Sequence, residues 1–173
     1  MDWIRTSNRN RRSGGNKLKT IEKFWNDFLE NKGLSSETKY IDAFHFCHTE
    51  ELANALLELV LQGKKKATCS AYLGYASEND IPKIGSYSIV TNFAGEPFAI
   101  IQTTNVTILP LNKVTWEMAK REGEDEIMDT WIEGHCKYFK QEAEEEGFAY
   151  SEDMPIVFED FEVIYKRSAE FEH

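Results

Sequence analysis

Apolar side chains recur at helical spacing in several parts of the chain, and a glycine follows each of these stretches. In the first stretch Ile21, Phe24 and Phe28 lie three or four residues apart, as on one face of a helix. Thr49 is a residue that caps helix N-termini, and two glutamates follow it in the first turn. Four helices are therefore predicted, each with its closing glycine: Ile21 to Gly33, Thr49 to Gly63, Thr115 to Gly123, and Glu126 to Gly147.

Short apolar runs and alternating patterns predict five strands around these helices. They are Lys39 to Phe46, Ala67 to Tyr75, Tyr87 to Thr91, Phe98 to Leu109, and Met154 to Tyr165. In the second strand, alternation places Thr68 and Ser70 on one face and Cys69 on the other, with the face of small residues inward. In the last strand the apolar phase changes near residues 159–160, which predicts a bulge or bend there.

The order of these elements indicates the fold class. Strands and helices do not alternate regularly, as they would in a doubly wound parallel sheet. Several strands follow one another, and the last one bends. The pattern therefore predicts an α+β fold with a curled, mainly antiparallel sheet flanked by helices.

Charge is distributed unevenly along the 173 residues, a length that suits one domain. The chain carries 20 Lys and Arg against 30 Asp and Glu, a net charge of −10. Residues 1–20 instead hold six basic side chains and one acidic side chain. We predict that residues 1–20 form a flexible basic arm, residues 21–167 the domain, and residues 168–173 a tail.

The absence of several sequence features predicts where the protein is located and whether it uses a cofactor. The sequence contains neither a signal-peptide core nor an apolar run of about 18 residues, so no membrane association is expected. Three widely spaced cysteines without a CxxC pair favour a reducing, cytoplasmic setting. No Walker loop or dinucleotide-binding glycine motif is present, and no cofactor is predicted.

A lysine-rich corner joins the second helix to the second strand. Lys64, Lys65 and Lys66 follow Gly63 directly, in a chain that is otherwise acidic. The run is either a solvated turn or a loop that faces an anion. At such a corner, Lys65 and Thr68 are able to converge, whereas within one strand they would face opposite sides.

An acidic segment between the last two helices is the second candidate for chemistry. Glu122 lies at a helix C-terminus, where the helix dipole disfavours an anion. The segment 121–126 is either a polar connector or the source of a carboxylate that faces the lysines.

Histidines and the remaining glutamates give weaker signals. His135 lies on the apolar side of its helix and is interpreted first as a core residue, as is Trp131. The donors in the run 45–48 match no zinc spacing, so no metal site is predicted. The glutamates of residues 142–146 are interpreted as a solvated helix end.

Taken in order, several motifs resemble the ASCH domain family. The first set is Gly63 to Ser70, Pro82 to Val90, and Gly95 to Pro97. A second set resembles the longer bacterial subgroup, formerly a domain of unknown function: Ala119 to Glu124, Trp131 with His135 and Phe139, and Ser151 to Met154. The likeness covers about residues 22–166.

This resemblance implies a PUA-like fold, a small curled β-barrel with a cleft between the lysine segment and the glutamate-bearing helix. The family includes small amidohydrolases that act on N4-acetylcytidine and a ribonuclease of single-stranded RNA. Their catalytic lysine, threonine and glutamate are similar to Lys65, Thr68 and Glu122 here. The amidohydrolases are shorter and carry arginine where Ser70 stands, and Lys66 replaces a small polar residue.

Three functions are consistent with these residues. The first is hydrolysis of an acylated cytosine nucleoside by Lys65, Thr68 and Glu122, which the net negative charge favours because it disfavours long polyanions. The others are a single-stranded RNA-binding module and a metal-independent ribonuclease. Side chains expected to contact the ligand in any of these are Lys64, Lys66, Ser70 and Tyr72. The oligomeric state is left open.

Overall fold

The computed structural model describes residues 5–7 and 15–168 of the chain. Within them, the helices are α1 (Gly15–Lys32), α2 (Glu50–Leu61), α3 (Trp116–Ala119) and α4 (Met128–Glu146). The strands are β1 (Arg5–Ser7), β2 (Asp42–Phe46), β3 (Ala67–Ala71), β4 (Tyr87–Thr91), β5 (Pro97–Pro110) and β6 (Pro155–Lys166). Short 3-10 helices cover Tyr72–Gly74, Glu78–Asp80, Leu111–Lys113 and Lys120–Glu122.

The six strands form one mixed sheet with the order β1-β2-β4-β5-β6-β3. The pair β2 and β4 is parallel, and the other neighbouring pairs are antiparallel. The register of β5 against β6 shifts between Thr103 and Asn105, opposite Phe161 and Asp160. An extra residue on β5 therefore bends the sheet next to the place where the apolar phase of β6 changes, as predicted.

The helices cover the sheet on both faces. Helix α1 packs on Ile89 and Ile100, whereas α2 packs on Val90 and Ile101, their neighbours in sequence. Because successive strand residues point to opposite faces, α1 and α2 lie on opposite sides of the sheet. Helices α3 and α4 pack against the other end, over β3 and β6. Full burial of each large apolar side chain contributes about 1.5–3 kcal/mol to this packing.

Element boundaries differ from the sequence-based expectation most at α1, β2 and β3. Strand β2 begins at Asp42 rather than Lys39. Helix α1 begins at Gly15 rather than Ile21. Residues 15–20 are exposed, so no apolar periodicity marks this first turn and a half. Strand β3 ends at Ala71, and the 3-10 helix Tyr72–Gly74 takes the chain out of the sheet where the strand was predicted to continue.

The sequence predicts that only the face of small residues on β3 is buried, but residues on both faces of the strand are buried. Cys69 is buried as expected, but Thr68 on the opposite face is also only 1% exposed. Residues 1–4, 8–14 and 169–173, which include most of the predicted arm and tail, lie outside the described residues. None of the helices in the described part of the chain is long and apolar enough to cross a membrane.

Candidate active site

The lysine corner is fixed by backbone hydrogen bonds on two sides. The N–H groups of Lys64 and Lys65 donate to the carbonyl of Leu59, at 2.9 and 3.0 Å, as α2 ends. The N–H of Lys66 donates to the carbonyl of Arg121 at 2.8 Å. Of the three lysines only Lys65 is buried; Lys64 and Lys66 are exposed. The backbone thus selects one lysine for the interior.

The buried ammonium of Lys65 forms an ion pair with Glu124, and both side chains are shielded completely from solvent. Its Nζ also lies 5.0 Å from the centre of the Phe46 ring. Burial lowers the pKa of Lys65, but the charges of Glu124 and Glu122 outweigh burial and raise it above the ordinary value. Lys65 is therefore a fixed positive charge inside the protein.

Glu122 occupies a second buried position, held by α4. Its Oε2 accepts a hydrogen bond of 2.7 Å from the indole N–H of Trp131 and lies 2.9 Å from Nε2 of His135. The rings of Trp131 and His135 stack with their centres 3.9 Å apart. Burial raises the pKa of Glu122, but His135 and Lys65 outweigh it and lower the pKa below its usual range.

The two buried carboxylates differ in proton affinity although they are two residues apart. Burial and the neighbouring charge of Glu122 raise the pKa of Glu124 well above its usual value, against the lowering effect of Lys65. Glu122 is shifted in the opposite direction. A pair of carboxyl groups with opposite shifts is an arrangement that acid and base catalysis uses.

Gly123 brings this acidic segment against the lysine corner. Its φ of +75° lies in the left-handed region, and a Cβ there would lie 2.7 Å from the carbonyl carbon of Lys64 and closer still to its oxygen. Arg121 anchors the same segment to β6, because its Nε and Nη2 donate to the two carboxylate oxygens of Asp160 at 2.6 and 3.1 Å. The segment and the corner therefore form one rigid unit.

Thr68 is buried, and its side chain leaves β3 on the face opposite to that of Cys69. Alternation along β3 directs Thr68 and Cys69 to opposite faces, and Cys69 is the residue that approaches Glu122 and His135. The hydroxyl of Thr68 is buried without a hydrogen-bond partner. A catalytic role for Thr68 stays a prediction.

The predicted binding residues lie outside this buried group. Ser70 Oγ is 2.7 Å from the hydroxyl of Tyr75, and the hydroxyl of Tyr72 donates to Glu78 at 2.9 Å. Ser70 is still part of β3, whereas Tyr72 belongs to the 3-10 helix that follows the strand. Lys64 and Lys66 are exposed beside the corner.

Sequence reasoning anticipated part of this arrangement. The sequence predicts a carboxylate that faces the lysines, with Glu122 as the catalytic glutamate implied by resemblance, but the direct partner of Lys65 is Glu124. Sequence reasoning assigned Trp131 and His135 to the core, and both are buried there while also contacting Glu122. Their i, i+4 spacing on one helix face, close after an acidic segment, was the available signal.

Potential metal-ligand atoms gather at one place in the described part of the chain. Cys69, Glu122 and His135 each offer an atom, and these atoms lie within 4.8 Å of one another. The donors of residues 45–48, considered from the sequence, are not part of this group.

Glu142 departs from the interpretation of residues 142–146 as a solvated helix end. Burial, together with Glu146 and Glu145, raises the pKa of Glu142 to about 8, although a hydrogen bond with Tyr138 lowers it. The last three glutamates, residues 144–146, are exposed as expected. At neutral pH the folded protein keeps a proton on Glu142.

This proton predicts a pH dependence of stability. Between about pH 4.5 and pH 8 the folded state holds the proton and the unfolded state has released it, so the free energy of unfolding falls as the pH rises. Glu142→Gln removes this titration. As the pH rises through that interval, its free energy of unfolding should increase by about 2–4 kcal/mol relative to that of the parent protein. Urea unfolding at pH 5 and pH 8 measures the difference. The matched control is Glu144→Gln, an exposed glutamate on the same helix; equal pH profiles for both variants would contradict the prediction.

Comparison with known proteins identifies the family to which the chain belongs. The family model for the ASCH domain matches residues 42–165. The crystal structure of protein EF3133 from Enterococcus faecalis V583, of family DUF984, is 36% identical, with a TM-score of 0.79 over 90% of this chain and 99% of that one. An ASCH domain from Lactobacillus crispatus JV V101 is 31% identical, with a TM-score of 0.71 over 90% and 98%. No curated protein matches significantly. The chain therefore belongs to the ASCH family, and its curled α+β sheet is the PUA-like fold of that family.

Proposed function

We propose that this ASCH protein is a hydrolase that cleaves the acyl amide of a modified cytosine nucleoside such as N4-acetylcytidine. The observation that carries the proposal is the fully buried ion pair of Lys65 and Glu124, with Glu122 beside it. The resemblance to ASCH amidohydrolases supplies the substrate class.

The cost of burying these charges supports a catalytic role. Removing an ammonium and a carboxylate from water costs several kcal/mol per ion, and the mutual attraction often does no more than offset that cost. In addition, Oε2 of Glu124 and Oε1 of Glu122 are buried without hydrogen-bond partners. Polar groups in this state are suited to bind a water molecule or the polar atoms of a substrate.

Each group has a role in the proposed reaction. A water molecule, or the Thr68 hydroxyl, attacks the acyl carbon, and Lys65 stabilises the negative charge that develops on the carbonyl oxygen. A carboxylate takes the proton of the nucleophile and returns it to the departing nitrogen as the C–N bond breaks. Glu124, in contact with Lys65, fits this transfer, and Glu122 is the second candidate. Where Thr68 attacks, the acyl group is first transferred to its oxygen, and water then hydrolyses that ester. By either route the products are a carboxylic acid and the free cytosine nucleoside.

The reaction is tested by incubating the protein with N4-acetylcytidine and following cytidine by chromatography, with and without EDTA. Lys65→Ala should lower turnover at least about 100-fold, because the oxyanion loses its positive partner. Lys23→Ala, which changes an exposed lysine on α1, is the control and should keep full activity. No cytidine from the parent protein, or equal turnover by both variants, would refute the proposal.

Further variants in the same assay assign the remaining roles. Glu124→Gln and Glu122→Gln separate the two carboxylates, and the larger loss is expected for Glu124→Gln because Glu124 contacts Lys65. Thr68→Val keeps the shape of the side chain and removes the hydroxyl. Full turnover by Thr68→Val would leave water as the nucleophile.

The exposed lysines favour one alternative, a module that binds or cleaves single-stranded RNA. Lys64 and Lys66 flank the buried Lys65 and are available to phosphates. In that case a labelled single-stranded RNA should bind with an affinity that falls steeply with salt, and Lys64→Ala should weaken it. Cleavage that requires the 2′-hydroxyl would identify a ribonuclease.

A further inference from the structure

Cys69, Glu122 and His135 converge on one point beside the Lys65 ion pair. Their sulfur, carboxylate oxygen and imidazole nitrogen lie within 4.8 Å of one another, and all three residues are buried. Around a tetrahedral zinc ion with bonds of about 2.0–2.3 Å, ligand atoms are roughly 3.3–3.8 Å apart. Adjustments of about 1 Å would bring the three atoms to that geometry.

The orientation of His135 suits a metal ligand. Its Nδ1 lies 2.8 Å from the backbone carbonyl of Trp131, and since a carbonyl accepts only, Nδ1 carries the proton. Its Nε2 faces the other way and lies 2.9 Å from Glu122 Oε2, so the imidazole nitrogen and the carboxylate oxygen are directed at the same point. Metal-binding histidines commonly donate one ring N–H to a backbone carbonyl and direct the other nitrogen to the ion.

Glu122 is oriented by the same tryptophan. The indole N–H of Trp131 donates to Oε2, and Oε1 is left buried without a partner. A buried acceptor without a hydrogen-bond partner destabilises the protein, and more so when it is charged. Trp131 therefore positions both ligands, through its side chain for Glu122 and through its carbonyl and stacked ring for His135.

The ligands also supply charge that a divalent cation neutralises. The Glu122 carboxylate and a Cys69 thiolate together carry two negative charges, and His135 binds as a neutral imidazole. Binding would form bonds from the metal to sulfur, oxygen and nitrogen and would release the thiol proton to solvent.

We propose that Cys69, Glu122 and His135 bind a divalent transition-metal ion, and that zinc is the ion this set favours. Thiolate, imidazole and carboxylate together are ligands typical of zinc. Three protein ligands leave a fourth position for water. The inference does not depend on the hydrolase proposal, because metal binding is measured without any substrate.

Cobalt provides the test, because it replaces zinc and gives a thiolate charge-transfer absorption. The full chain is stripped with EDTA, the chelator is removed, and Co²⁺ is titrated into the protein. We expect one equivalent to bind, with charge-transfer absorption, release of one proton, and displacement by one equivalent of Zn²⁺. Cys69→Ser should abolish the absorption, whereas Cys136→Ser, next to His135 but outside the ligand group, should keep it.

Two further variants guard against a folding defect. Trp131→Phe keeps an aromatic ring and should weaken metal binding about 10–100-fold, since it removes the donor that orients Glu122. His135→Gln should weaken metal binding more, because it removes a ligand. Thermal unfolding of each variant shows whether it is folded. Failure of the parent protein to bind cobalt, or an absorption that survives in Cys69→Ser, would overturn the proposal.

Discussion

Lys65→Met is expected to lower the free energy of unfolding by about 3–5 kcal/mol, the largest effect of any single substitution at the site. The substitution keeps most of the side-chain volume but leaves Glu124 in the interior without its ion-pair partner. Urea unfolding at constant pH measures the change. Lys23→Met, which breaks the exposed pair of Lys23 and Asp27, is the control and should change stability by about 0.5 kcal/mol or less.

The double variant Lys65→Met with Glu124→Leu separates stability from function. Replacing both members of a buried ion pair by apolar groups is often neutral or stabilising, so at least half of the loss should be recovered. Hydrolysis should stay absent, because the charges that act on the substrate are gone. A single variant as stable as the parent protein, or a double variant less stable than the single one, would show that the pair is not desolvated as the structure indicates.

Gly123→Ala is expected to destabilise the protein by about 2–5 kcal/mol. The left-handed conformation costs a non-glycine residue about 1–2 kcal/mol, and the new methyl group meets the backbone of Lys64, which adds roughly 1–3 kcal/mol of overpacking. Gly147→Ala is a matched control, since Gly147 has a φ of +79° but nothing within 4 Å of a Cβ. Gly147→Ala should lower the free energy of unfolding only by the cost of the left-handed conformation, about 1–2 kcal/mol.

The difference between these two glycine variants isolates the contact between the acidic segment and the lysine corner. Gly123→Ala should also impair hydrolysis and metal binding, because it moves Glu122 and Glu124 away from the corner. Equal stabilities for the two variants would show that the segment yields without cost, and that the contact does not position the site.

Much of the fold was predictable because packing leaves a periodic record in the sequence. The apolar spacing of residues 21–29 follows from the burial of one helix face, and the phase change in β6 follows from the bend of the sheet. The first turn and a half of α1 was not predictable, because residues 15–20 are exposed and leave no apolar pattern. Strand β1 was missed because it lies within a polar, basic stretch.

The sequence predicted which residue types form the site, but not which glutamate contacts Lys65. Lysine and glutamate were expected to meet, and they do, but the choice of Glu124 over Glu122 depends on the left-handed turn at Gly123. A turn of this kind sets which of the two buried carboxylates contacts the lysine, and residue spacing does not show it. The approach of Cys69 rather than Thr68 depends in the same way on where the corner ends and β3 begins.

The long interval between Lys65 and Glu124 has a consequence for how the protein folds. The two residues are 59 positions apart, and closing a loop of that length costs roughly 3–4 kcal/mol of chain entropy. We therefore do not expect the ion pair to contribute to the first steps of folding. We expect it to form after β3, β5 and β6 have paired, when surrounding structure already excludes water. Substitutions at this charged centre should then accelerate unfolding more than they slow folding, which stopped-flow measurements of both rates would show.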